Sequence, residues 1–328
     1  MKNALCVAVV AVVGLAVWGR NLAAWGDDGH QIVGRIAARK LTPKTKRRIV
    51  AILRTGGDDQ LHLPALLGAT GNPQPSLTVL AEAFGRMATW PDHMPGGKGN
   101  TGPWHYVDFG LFEGPNTTAD RCADGCVTRL IETLKSNIPA GKSVSVVEAD
   151  GKKRTFPVDK ELRFLIHFFG DIHQPLHAST NADGGGNCVK ATGFGSDDNL
   201  HHAWDTDLVG VVRGSATLDA MALALLHEFG GDVLAGGVVD PRQIAGESFA
   251  LAKEDIYPKS RPKAVGVIDH FVAVKPPQEC AAKAPAEIRN ASVDVRASFA
   301  NPAAEKLVRE QLFKAGVRLA TVLNELFQ

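Results

Sequence analysis

Residues 159–177 read DKELRFLIHFFGDIHQPLH. The spacing predicts a helix over 159–173 that stops ahead of Pro175, because proline removes a backbone donor and restricts the residue before it. His167 and Asp171 stand four apart on that helix, so they share a face with Cβ atoms about 5–6 Å apart. One such pair ordinarily means an ion pair on a helix surface. Here Leu165, Ile166, Phe168 and Phe169 surround it, and the same spacing recurs at His201 and Asp205. An imidazole nitrogen and a carboxylate oxygen on one face can close on one metal ion, and two such pairs favour that reading over the surface one. His177, just past Pro175, can turn back toward either pair.

Outward from this stretch the chain reads as helices. Ile32, Val33, Ile36, Ala37 and Leu41 form one apolar stripe, and a second runs from Leu77 to Trp90 and ends at Pro91. Further helices are expected at 124–137, 199–209, 217–229, 241–256 and 301–327. The last offers Leu307, Val308, Leu312, Val317, Leu319, Leu323 and Leu326 to a core. One segment reads as strand: SVSVVEA and KRTFPV flank Asp150-Gly151, a hairpin signal at 143–158. Loops rich in Gly, Pro, Asn or Ser fall at 95–103, 179–198 and 257–265. The expected fold class is mainly α, a single domain over 25–328 with a peripheral hairpin, and no repeat period or linker divides it.

Residues 1–24 have a different grammar. Lys2 precedes an apolar run from Leu5 to Trp18, and Leu22-Ala23-Ala24 supplies a small-residue cleavage site. The run is shorter than the roughly 20 residues that span a bilayer, so a cleaved signal peptide is expected and a secreted or periplasmic protein beginning at Trp25. Of the 36 basic and 35 acidic residues, removal takes away Lys2 and Arg20 and no acid, leaving 34 against 35, a formal charge of −1. That balance excludes a partner held mainly by a basic surface. Export makes disulfides permissible among Cys122, Cys126, Cys188 and Cys280. Four cysteines allow three connectivities. The sequence does not choose among them; the working expectation is Cys122 with Cys126 and Cys188 with Cys280.

More residues of ligand type sit near helix ends. Trp25-Gly-Asp-Asp-Gly-His30 would form the new N-terminus, where an α-amino group of pKa about 8 deprotonates readily beside a cation. Trp90-Pro-Asp92 follows a helix end, and Trp104-His105-Tyr106-Val107-Asp108 follows a glycine-rich loop. Core packing accounts for both tryptophan rings, but not for the polar residue just beyond each.

The motifs WGxxGH, WPD, WHYVD, HFFGDIHQPLH, DGGGN and NLHHAWD, in that order, resemble the S1/P1 family of zinc-dependent, single-strand-specific nucleases. The likeness continues through GESFALAKEDIY and AGVRLATVLNELF, so it covers essentially the whole chain after residue 24. It implies a helical fold of the phospholipase C/nuclease kind holding three clustered zinc ions. By motif, one zinc would be held by Asp92, His105, His167 and Asp171. A second would take the amino group and carbonyl of Trp25, His30, and Asp171 as a bridge. The third would take His177, His201 and Asp205. Three Zn²⁺ would add +6 to a chain of −1, so the metals rather than a basic patch would attract phosphate.

The resemblance further implies that Tyr106 stacks a base and Asp108 hydrogen-bonds it, with Asn187 near the phosphate. Stacking is worth about 1–3 kcal/mol per base and tolerates any sequence, and a base held flat must have left the duplex. The implied reaction is metal-assisted hydrolysis of single-stranded DNA and RNA to 5′-phosphates, with Asp92 orienting the attacking water and 3′-nucleotides as further substrates. A monomer with no stable protein partner and no membrane attachment after signal cleavage is expected.

Two rivals compete with this reading. A zinc phospholipase C has a similar N-terminal Trp and His/Asp cluster, but WHYVD and the Asp of NLHHAWD favour the nuclease. A non-catalytic secreted zinc-binding protein would need saturated coordination. The absence of HExxH removes the commonest metalloprotease pattern. His62, His93, His227 and His270 lack partners at ligand spacing, whereas His173 and His202 are expected behind the ligands. Asn116-Thr-Thr and Asn290-Ala-Ser match the glycosylation acceptor pattern.

Overall fold

The computed structural model describes residues 25–56, 60–94, 101–115, 126–147, 151–194, 198–230, 239–260, 267–268, 274 and 279–328. The expected signal peptide, Asn116, Cys122, Asp150 and His270 lie outside these residues. The mainly α expectation holds.

Helix α1 (Asp27–Lys40) carries acids in its first turn and bases in its last, matching the helix dipole. Its stripe of Ile32, Val33, Ile36 and Ala37 is fully buried. Helices α2 (Pro43–Thr55), α3 (Leu63–Leu67) and α4 (Leu77–Thr89) follow. Short 3₁₀ turns at Trp90–Asp92 and Gly102–His105 lead to α5 (Val127–Asn137). The hairpin of β1 (Val144–Val147) and β2 (Lys153–Phe156) precedes α6 (Val158–Asp171) and a 3₁₀ turn at Pro175–Ala178. Next come β3 (Lys190–Thr192), β4 (Asp198–Asn199) and α7 (Leu200–His202). A π turn at Ala203–Asp207 continues into α8 (Leu208–Arg213), followed by α9 (Leu218–Phe229). A second π turn, Ala252–Ile256, joins α10 (Pro241–Leu251) to α11 (Tyr257–Ser260). The chain closes with α12 (Cys280–Lys283), α13 (Ala286–Arg289), β5 (Ser292–Asp294), α14 (Val295–Phe299) and α15 (Pro302–Leu326).

Helix α1 packs against α4, α6, α9 and α15, and its N-terminal end lies beside the C-terminal ends of α4 and α6, where Asp27 pairs with His93 and His30 meets Asp171. In α15, Val308, Leu312, Leu319 and Leu323 are fully buried, while Leu307, Val317 and Leu326 are partly so. The hairpin pairs Val144 with Phe156 and Val147 with Lys153, antiparallel. It does more than decorate the surface. Buried Phe156 meets Trp104 and Phe164 edge-on at 6.2 and 5.0 Å, wedging the 104–105 turn against α6.

The structure departs from the sequence reading in several places: α11 occupies the start of the loop expected at 257–265, and the short helices α3, α12, α13 and α14 were not expected. Helix α2 was not expected, although Thr42 caps it through Thr45 N, Pro43 opens it, and Ile49, Val50 and Leu53 bury one stripe. The run Lys44-Thr-Lys-Arg-Arg48 dilutes that stripe in its first half. The hairpin is also not the whole of the β structure. A small sheet in the order β4-β3-β5 pairs Lys190 with Asn199 antiparallel and with Ser292 in parallel. Strands of two or three residues are too short to show a period of two.

The Cys188–Cys280 disulfide ties the loop before β3 to the start of α12 across 92 residues, as expected. Cys126 is itself disulfide-bonded. Its expected partner, Cys122, lies outside the described residues.

Candidate metal centre

The sequence-predicted ligands converge from helix ends. Asp171 is the last residue of α6, and Asp92 and His105 close 3₁₀ turns. His105 Nδ1 lies 2.9 Å from His167 Nε2 and 3.0 Å from Asp171 Oδ2, and His167 Nε2 lies 3.3 Å from Asp171 Oδ2. Asp92 Oδ1 stands 3.8 and 3.6 Å from these two nitrogens. On the other side of Asp171, His30 Nε2 is 3.4 Å from Oδ1, and the His30 ring stacks on His167 at 3.9 Å. A second cluster forms where the Pro175–Ala178 turn meets α7. His177 Nε2 lies 2.9 Å from His201 Nε2, which lies 3.3 Å from Asp205 Oδ2. The His201/Asp205 pair survives the π turn that begins at Ala203, a widening often found at functional sites.

All eight of these side chains are buried. Burial alone would raise the Asp171 carboxyl's pKa, but His167 and His105 beside it reverse the sign and hold it well below the usual carboxylate range. Burial, and next to it the neighbouring His167, pushes His30 below the ordinary imidazole value. The site therefore presents an anionic Asp171 and a neutral His30.

The tautomers follow from the backbone. His167 Nδ1 donates to Ala88 O at 2.6 Å, His177 Nδ1 to His105 O at 2.7 Å, and His201 Nδ1 to Gly185 O at 2.6 Å. A carbonyl only accepts, so each neutral ring turns a lone pair outward at Nε2. The His177 and His201 lone pairs face each other at 2.9 Å, which requires a proton or a cation between them. In the first cluster both ring nitrogens of His30 and Oδ1 of Asp171 are buried without hydrogen bonds. Ligand atoms about 2.0–2.1 Å from a tetrahedral ion stand about 3.3–3.4 Å apart, and the separations above straddle that edge length. The groups His105/His167/Asp171, His30/Asp92/His167 and His177/His201/Asp205 each bring three ligand atoms within 4.8 Å of one another. Nitrogen and carboxylate donors of this kind fit a borderline divalent ion such as zinc.

Trp25 is fully buried at the start of α1, and its carbonyl accepts from His30 N at 3.2 Å. Its own nitrogen follows Ala24 in the full-length chain, so it becomes an amine only after cleavage there. Tyr106 and Asp108 lie on the segment beside the His177 turn, where Val107 N donates to His177 O at 2.8 Å. Burial raises the Tyr106 phenol above its usual range, with Asp108 and Glu279 adding to the effect. Asn187 Nδ2 donates to Gly184 O at 2.8 Å, so its amide closes the glycine turn, while its Oδ1 is buried without a hydrogen bond.

Of the histidines set aside, His93 pairs with Asp27 at 2.8 Å on the surface. His202 is partly exposed, 3.7 Å from Asp198. His173 does not back a ligand: its Nδ1 donates to Phe169 O, and its Nε2 accepts from Arg318. That role belongs to the next residue. Gln174, fully buried, donates from Nε2 to Asp205 Oδ1 at 2.6 Å. Two glycines also matter. A Cβ on Gly170 would meet His30 Nδ1 at 2.6 Å, and one on Gly185 (φ +64°) would meet Leu176 O at 2.5 Å. A cavity of about 540 Å³ lined by Ile52, Ile138, Val158 and Leu326 contains none of these ligands, so chemistry rather than cavity size locates the site.

Buried histidines and aspartates in adjoining groups, hung on helix ends of a mainly α chain, define a metal-dependent hydrolase with neighbouring ion sites. The sequence profile described as S1/P1 Nuclease matches residues 25–328. The chain belongs to that family and is a phosphodiester-hydrolysing nuclease. It is 25% identical to Endonuclease 2 of Arabidopsis thaliana over 68% of this chain and 70% of that one. Endonuclease 4 of the same plant is 23% identical over 92% and 89%. Nuclease S1 of Aspergillus oryzae is 28% identical over 59% and 58%.

Proposed function

We propose that this protein is an exported, three-zinc endonuclease that cleaves single-stranded DNA and RNA to 5′-phosphates and removes phosphate from 3′-nucleotides. The observation that carries the reading is the convergence of imidazole nitrogens and carboxylate oxygens in adjoining buried groups, with the backbone setting the tautomers of His167, His177 and His201. Asp92, His105, His167 and Asp171 hold one zinc. His30, the amine and carbonyl of Trp25, and Asp171 hold the second, and His177, His201 and Asp205 hold the third. Zinc held by these residues would supply Lewis acidity and lower the pKa of water toward neutrality.

The chain's own residues do the rest. Asp92 orients the attacking water. Tyr106 and Asp108, on the segment hydrogen-bonded to His177, take the base by stacking and hydrogen bonding. Asn187 spends one Nδ2 hydrogen on Gly184 O, and its second N–H is the donor offered to the phosphate. The match beginning at Trp25 supports processing at that residue.

The test uses protein beginning at Trp25, assayed for 5′-mononucleotides released from single-stranded DNA and RNA. Release abolished by a chelator and restored by zinc is expected, together with far weaker release from protein that keeps Ala24. No release from the zinc-loaded protein would sink the proposal, and hydrolysis of phospholipid in its place would assign the phospholipase reading.

A further inference from the structure

The amide of Gln174 has one orientation. Its Oε1 accepts from Leu176 N at 2.6 Å, and a backbone N–H only donates, so Nε2 must face Asp205 Oδ1, 2.6 Å away. Gln174 thus touches two of the three arms of the second cluster. Its oxygen fixes the Pro175–Ala178 turn that carries His177, and its nitrogen caps one oxygen of Asp205. The other oxygen, Oδ2, is the one that faces His201 Nε2 at 3.3 Å. The side chain is fully buried, so no water competes for either bond.

We propose that Gln174 is a positioning residue that restricts Asp205 to one ligating oxygen, so that the His177/His201/Asp205 group offers three protein atoms and keeps a ligand position open. Catalytic zinc sites have three protein ligands and an open position, whereas a saturated site is structural. A carboxylate with both oxygens available can close on an ion in bidentate fashion and fill that position. The Gln174 N–H donor spends the second oxygen elsewhere. This inference rests on the zinc reading of the group and assigns the residue that keeps it reactive.

The test compares zinc-loaded wild-type protein with Gln174→Met and Gln174→Glu. The Met variant loses both bonds. The Glu variant, assayed at alkaline pH where its carboxyl is ionised, keeps an acceptor for Leu176 N and loses the donor to Asp205. Chelator competition reads zinc affinity, and the visible absorption of cobalt-substituted protein reads coordination number, its intensity falling as the ion gains ligands. In both variants the hold on one metal per chain should change by about 10–100-fold, the usual size of effect when a group that orients a ligand is lost. Both should also show weakened cobalt absorption. Unchanged affinity and an unchanged cobalt spectrum in the two variants would overturn the inference. So would losses confined to Gln174→Met, since they would trace to the His177 turn alone. A wild-type zinc content that His201→Ala leaves unaltered would instead refute the zinc reading of this group.

Discussion

Gly170→Ala is the perturbation that most directly tests how the centre is packed. Gly170 is helical, and its conformation does not require glycine; alanine there should favour the helix by about 1 kcal/mol. What opposes it is space. The new Cβ would meet His30 Nδ1 at 2.6 Å and Cε1 at 2.8 Å, against ordinary contacts beyond 3.4 Å. The ring must therefore move by about 0.8 Å, while His167 holds its face at 3.9 Å. Overpacking of this kind costs about 1–3 kcal/mol, so the net loss in metal-free protein is between about 0 and 2 kcal/mol. In a His30→Ala background the obstacle is gone, and the same substitution should stabilise by about 1 kcal/mol. Urea unfolding of the four proteins in chelator measures this cycle, and a coupling of about 1–3 kcal/mol is expected. With zinc restored, Gly170→Ala should lose about 10–100-fold in activity, as a ligand displaced by nearly 1 Å implies. Equal effects of Gly170→Ala in both backgrounds would refute the packing argument.

Tyr257→Phe should destabilise by about 1–3 kcal/mol in urea unfolding, because Tyr257 donates at 3.0 Å to the fully buried Asp183, which organises the turn before the glycines. Burial already raises the Asp183 pKa, so this penalty should shrink as the pH is lowered and the acid protonates. Replacing Cys188 and Cys280 together by alanine should cost about 2–4 kcal/mol, since their bond closes a long loop in the unfolded chain. No cysteine is among the ligands, although His201 and Asp205 lie inside the loop that the bond closes, so zinc content measured after folding should be unchanged.

The two His/Asp pairs were legible because a spacing of four has one meaning on a helix, and the apolar residues around His167 fixed which helix. Asp92, His105 and His30, which the structure brings together, were suggested by motif order rather than by physics, since nothing local tells how distant segments meet. Helix α2 carried its Thr42 cap and Pro43 start in plain view, but its basic first half hid the buried stripe. The β4-β3-β5 sheet left no local mark, because β5 lies 100 residues beyond its parallel neighbour. Gln174 was passed over for a different reason. A search for metal ligands weighs nitrogen bases and carboxylates, and an amide that orients one of them resembles any other polar residue before a proline.

The deepest part of the site was never in the side-chain alphabet. Helix ends leave their last carbonyls without intrahelical partners, and here those carbonyls take histidine N–H groups. Ala88 O, near the end of α4, takes His167, and His105 O, at the end of a 3₁₀ turn, takes His177. Each bond removes an unsatisfied acceptor and fixes which nitrogen faces inward. The partial negative charge at the same ends favours a cation. His105 serves twice, its ring in one cluster and its carbonyl orienting a ligand of the other, so the two clusters cannot be displaced independently. A substitution that shifts the 102–105 turn, such as truncating Phe156 beneath Trp104, should therefore disturb both metal groups at once, and a loss confined to one would break this link.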